Sequence, residues 1–165
     1  MALQLGGLTG FGSAELAQLQ YDISEVNRAL AADSFKAAIL AATFENTADT
    51  PPQIWDKISG PITLAQETLT YLGFWATHAS HTIAEEDEDG EVTCNRPLYD
   101  TESSAARSNT QFHESCHVVG YSHRSPTDSL SVPYQAGNLL EAWLIANPRT
   151  LSSTDTNGDK KGVSK

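Results

Sequence analysis

Residues 113 to 123 read His-Glu-Ser-Cys-His-Val-Val-Gly-Tyr-Ser-His, the pattern H-E-x-x-H-x-x-G-x-x-H without a gap or a substitution. Residues four apart in an α-helix lie on one face, so a helix through this stretch lets His113 and His117 direct their imidazoles at a single ion, and zinc favours such nitrogen donors. Gly120 suits the left-handed backbone that ends a helix, and the turn it makes lets His123 approach the same point as a third donor. Three protein nitrogens leave the fourth position of a tetrahedral ion to water, the pattern of a catalytic rather than a closed structural site. Glu114, next to the first histidine, is placed to take a proton from the metal-bound water as it attacks a carbonyl carbon and to pass it to the leaving amine.

The flanking sequence bounds this helix. Asp100, Thr101 or Ser103 can cap a helix that runs through Ala105, Ala106 and Phe112 to Val119. Upstream, Leu16, Leu19, Tyr21, Ile23, Val26 and Leu30 recur at helical spacing and predict a backing helix from Ser13 to Ala31. Ser34 is a candidate cap for a second helix over Phe35 to Phe44. Asn46-Thr-Ala-Asp-Thr-Pro-Pro carries turn chemistry, and Thr50 before Pro51 predicts a short helix to Ile58, stopped by Gly60-Pro61.

Between Thr68 and Glu85 the residues Tyr71, Phe74, Trp75 and Ile83 favour strand, and the acidic turn ending at Asp89-Gly90 predicts a hairpin with Glu91 to Leu98. Pro126 and Pro133 are expected to keep the next segment irregular before an amphipathic helix from Gln135 to Ala146, with Leu139, Leu140, Trp143 and Leu144 on its buried side. From 152 the chain is polar and is expected to be a flexible tail to residue 165, leaving one catalytic domain over residues 1 to 151.

The long histidine motif resembles the metzincin clan of zinc endopeptidases, which includes astacins, serralysins, matrix metalloproteases and adamalysins. The resemblance implies an α+β domain: a twisted, mostly parallel mixed sheet over a backing helix, an active-site helix beneath an extended cleft, a C-terminal helix, and an edge strand that pairs with the peptide. It carries the zinc-ligand roles onto His113, His117 and His123 and the base role onto Glu114. Clan members have a methionine turn under the zinc, whereas the only methionine here is Met1. If Val132 in Leu130-Ser-Val-Pro-Tyr134 fills that position, Tyr134 falls where astacins and serralysins carry a metal-proximal tyrosine, and it becomes a candidate oxyanion stabiliser or ligand. Arg124 after the third histidine matches none of those subfamilies, so the chain reads as a divergent or minimal member. The resemblance also favours a secreted or periplasmic location, although the first residues lack the basic and apolar regions of a signal peptide.

Composition narrows the partners. Ten Lys plus Arg against twenty-one Asp plus Glu give a formal charge of −11, which opposes binding to nucleic acid or an anionic membrane. No apolar run reaches the length of a membrane span. A protein or peptide substrate and a monomeric state are expected. Two cysteines cannot define a disulfide framework, so Cys94 and Cys116 are read first as free thiols, with a single bridge between them as the alternative.

Rival readings attach to particular residues. Glu141 could replace His123 as third ligand, as in thermolysin-like enzymes. His78 and His81 are expected to be surface or cleft residues, and the acidic runs Glu85 to Glu91 and Asp155 to Asp159 solvated turns rather than calcium loops. At the level of function the rivals are a non-catalytic zinc-binding structural or interaction protein and a metal-dependent amidase acting on a non-peptide substrate.

Overall fold

A computed structural model of the chain describes residues 3–70, 84–86, 91–125 and 128–149. They form a mixed α+β structure. Strand β1 (Leu3–Thr9) leads through helices α1 (Ser13–Leu30), α2 (Asp33–Ala41) and α3 (Pro51–Ile58) to β2 (Ile62–Thr70). Strands β3 (Ala84–Glu86) and β4 (Glu91–Asn95), the short helix α4 (Arg96–Tyr99), and helices α5 (Ser104–Val118) and α6 (Val132–Ala146) follow. The sheet order is β1-β2-β4-β3. β1 and β4 both run parallel to β2, and β3 closes the described sheet antiparallel to β4.

The expected hairpin is present in its pairing, with Ala84 opposite Cys94 and Glu86 opposite Val92. Its second strand ends at Asn95 instead of Leu98, because Pro97 enters the first turn of α4, where a missing N–H leaves no bond unmade. Strand β1 has no counterpart among the expected elements. Neither has most of β2, since the sequence favours strand only from Thr68 on.

Helix α1 buries Leu19, Ile23, Val26 and Ala29 at the spacing of one face. Tyr21, expected in that stripe, is instead exposed and lies under the Arg149 guanidinium, 5.3 Å from its ring centre. Helix α2 starts and ends earlier than Phe35 to Phe44, with Ala32 as its cap residue. α3 begins at Pro51 as expected, and Thr50 and Gln53 form its capping box. The largest correction is at α6. Pro133 lies in its first turn, which proline tolerates, so the helix begins at Val132 and Tyr134 is helical. Of its expected buried residues, Leu140 and Leu144 are buried, whereas Leu139 and Trp143 are half-buried.

α5 packs along α6 and against α1 and β2. At the first contact Gly137 faces Asn109, whose side-chain oxygen would have to move aside for a Cβ there. Phe35 sits fully buried where α2, α3, α5 and α6 meet, with ring centres of Trp55, Phe112 and Trp143 at 6.2, 6.0 and 6.1 Å. Burying aromatic rings in mutual edge contact contributes both apolar area and directional attraction. Cys94 and Cys116 are buried free thiols, so no bridge joins them.

No helix among the described residues is long and apolar enough to cross a membrane. His78, His81, the turn residues 87–90, the acidic run 155–159 and the expected tail lie outside the described residues.

Candidate metal centre

α5 is capped as its sequence suggests. The Ser103 hydroxyl oxygen accepts from the Ala106 amide at 3.1 Å, which selects Ser103 from the three candidate caps. At the other end Gly120 has φ +90°. The Gly120 amide donates to the His117 carbonyl at 2.8 Å, and the Tyr121 amide reaches back to the Cys116 carbonyl at 3.1 Å. This pair of bonds is a Schellman ending, which satisfies the last carbonyls and reverses the chain toward His123.

The three motif histidines converge. Ring centres of His113 and His117 are 5.0 Å apart, and His123 lies 5.3 Å from the first and 5.0 Å from the second. One ring nitrogen from each falls within 4.8 Å of the other two. The Nε2 atoms of His113 and His117 are 3.2 Å apart. Two nitrogens at about 2.05 Å from a tetrahedral zinc would be separated by about 3.3 Å, so this edge fits the ion without rearrangement. His117 Nδ1 lies 2.8 Å from the Tyr121 carbonyl oxygen. A carbonyl only accepts, so Nδ1 carries the proton and Nε2 keeps its lone pair for a cation.

Electrostatics favour the neutral rings that a metal needs. Burial, and then the neighbouring His117 and His123, push His113 down to about 3 from an ordinary 6.5. His117 is lowered chiefly by burial, against an opposing pull from its bond to Tyr121. Glu114, the residue after His113 on α5, is buried. The Tyr134 ring stands 4.5 Å from that of His113 and 4.7 Å from that of His123, on the first turn of α6. Its phenol is raised by burial and then by the charge of Glu114, which keeps the hydroxyl proton on the oxygen.

Of the five candidate residues, His113, His117, His123 and Tyr134 are thus gathered in one place, and Glu114 directly follows His113 on α5. The alternative ligand Glu141 is not. It accepts a hydrogen bond from Asn109 at 2.8 Å and lies outside the group of ring nitrogens.

Sequence reasoning passed over four supporting residues, Tyr121, Asp49, Asp128 and Asn46. Tyr121 occupies a variable position of the motif, yet its carbonyl holds His117 and its hydroxyl donates to Asp49 at 2.7 Å. Asp128 accepts from the Arg124 amide at 3.3 Å and from the Asn46 side chain, tying down the chain just after His123. Only the turn composition around Asn46 to Asp49 hinted at a defined loop there, and nothing local linked it to the histidines. Compared with family models, curated proteins and solved structures, the chain matches none.

Proposed function

We propose that the chain is a zinc-dependent endopeptidase of the metzincin type, which hydrolyses peptide bonds in proteins or peptides with Glu114 as general base. The observation that carries this reading is the convergence of the His113, His117 and His123 ring nitrogens, with a carboxylate one residue from the first of them. The three imidazoles would hold the ion. Bound by three nitrogen donors, zinc acts as a Lewis acid that acidifies water and polarises a carbonyl.

The rest falls to side chains of this chain. Glu114 takes the proton of the attacking water and delivers it to the departing amine; its burial keeps the carboxylate away from bulk solvent, where proton transfer would be less directed. Tyr134, protonated and beside two of the histidines, supplies a hydroxyl to the oxygen that gains charge as the carbonyl becomes tetrahedral. The architecture supports the same type: three parallel strands, an antiparallel strand β3 at the end of the described sheet next to α5, and α1 packed behind α5. An extended peptide could pair with such a strand through main-chain bonds.

The test is turnover together with metal content. Casein and a peptide library should be cleaved by the purified protein, the cleavage abolished by o-phenanthroline and absent in Glu114→Ala, which still holds one equivalent of zinc. Wild-type protein that binds one zinc and cleaves nothing would replace the enzyme with a non-catalytic zinc-binding protein.

A further inference from the structure

The histidine centre is supported from a segment distant in sequence, residues 45–49 between α2 and α3. Glu45 forms a parallel bridge with Ser131, and its amide donates to the Leu130 carbonyl at 2.8 Å. Asn46, at φ 59°, donates to Asp128, which in turn fixes the Arg124 amide. Asp49 accepts the Tyr121 hydroxyl at 2.7 Å and Lys57 Nζ at 2.7 Å, while its own amide donates to Thr47 Oγ1 at 3.0 Å. The segment therefore grips the chain on both sides of His123, at Tyr121 and at Arg124.

The grip at Tyr121 bears on His117. The carbonyl that sets the His117 tautomer belongs to a residue just past the end of α5, next to Gly120. Gly120 is exposed, and a Cβ built there would meet nothing within 4 Å among the described residues. Apart from its Schellman bond, Tyr121 is held through its side chain: a buried ring with Lys57 Nζ 5.1 Å above it, and a hydroxyl that ends on Asp49. A phenol donating to an ionised carboxylate makes a shorter and stronger bond than one between neutral groups. Lys57 and the phenol together hold the Asp49 carboxyl below its ordinary range, in that ionised form.

We propose that Asp49 is a positioning residue for the histidine centre, acting through the Tyr121 hydroxyl to keep the Tyr121 carbonyl on His117 Nδ1 and so present His117 Nε2 to the metal. This rests on the metal-centre reading above. Partners that orient a metal-bound imidazole typically contribute about 10- to 100-fold in metal affinity.

Zinc affinity, measured by competition with a chromogenic chelator, tests it in wild type, Tyr121→Phe, Asp49→Ala, Asp49→Asn and the Tyr121→Phe/Asp49→Ala double variant. Long-range ¹⁵N spectra of the metal-free proteins report in parallel which His117 nitrogen carries the proton. Tyr121→Phe and Asp49→Ala should each weaken zinc about 10-fold or more, the double variant should be no weaker than Tyr121→Phe alone, and Asp49→Asn, which keeps an acceptor, should recover most of the loss. The Nδ1-protonated form of His117 should dominate in wild type and give way to a mixture in Tyr121→Phe. Tight zinc binding that stays within twofold of wild type in Tyr121→Phe and Asp49→Ala, or losses that simply add in the double, would overturn the role of Asp49 alone. A wild-type protein that takes up no zinc would overturn the metal centre and this role together.

Discussion

Arg107 on α5 meets Asp22 on α1 in the interior, Nε to Oδ2 at 2.7 Å, with 5% and 0% of the two side chains exposed. Ser104 also donates to this carboxylate, and Arg107 reaches the Glu102 carbonyl as well. The backing helix is thereby fixed to the helix that carries two of the histidines. Burial outweighs the pull of Arg107 and raises the Asp22 carboxyl, so the pair persists through its partners rather than through cheap desolvation. Asp22→Ala strands a buried guanidinium and should cost about 3–5 kcal/mol in urea unfolding. The Asp22→Leu/Arg107→Leu double variant should recover much of that, and a loss under 1 kcal/mol in Asp22→Ala would mean the pair behaves as a surface one.

Glu67 on β2 is fully buried and accepts from the Gln111 side chain at 3.2 Å. Burial, opposed in part by that bond, raises its carboxyl from an ordinary 4.5 to about 8. The folded chain therefore holds this proton more tightly than the unfolded chain does. Its contribution is full below pH 4.5 and is lost as pH rises through about 8. Glu67→Gln removes the titration, so its stability relative to wild type should rise between pH 5 and pH 8.5 in urea midpoints. Parallel curves would show that Glu67 is ionised throughout.

The third donor is decided by metal content. His123→Ala should lower zinc affinity by more than about 100-fold, beyond the usual effect of an orienting partner, while Glu141→Ala leaves it unchanged, since Glu141 is engaged with Asn109. Metal loss in Glu141→Ala alone would reverse the assignment.

Tyr134→Phe keeps the ring against His113 and His123 and removes only the hydroxyl. If that hydroxyl stabilises the developing oxyanion, kcat should fall roughly 10²-fold with KM and zinc content nearly constant. A fall in zinc affinity with unchanged kcat at saturating metal would make Tyr134 a ligand instead.

Much of the candidate centre is legible because its signals are local. The fourfold spacing of His113 and His117, the glycine that ends α5 and the serine that opens it each act within a turn or two of helix. The same holds for α3, whose start is written in Thr50, Pro51 and Gln53. Strand β1 escapes such reading: Leu-Gln-Leu-Gly-Gly-Leu-Thr has weak strand character, and what makes it a strand is pairing with β2 far along the chain. β2 is masked further because its buried positions change phase, from Ile62 and Leu64 to Glu67 and Leu69, and one of them is an acid. Pro133 misleads in the opposite sense, because it resembles a breaker and sits where a helix accepts one. Asp49 stands 72 residues from Tyr121, and no local pattern connects a loop aspartate to a tyrosine that distant.

Phe112 belongs to the ring cluster around Phe35, and the next residue along the chain is His113. The hydrophobic interior and the histidine triad are separated by a single peptide unit. Mutational drift among Phe35, Trp55 and Trp143 is therefore constrained twice, once by the volume the rings must fill and once by the bearing of an imidazole. Variants that conserve bulk yet tilt Phe112 should surface in a selection for activity and pass unnoticed in one for solubility.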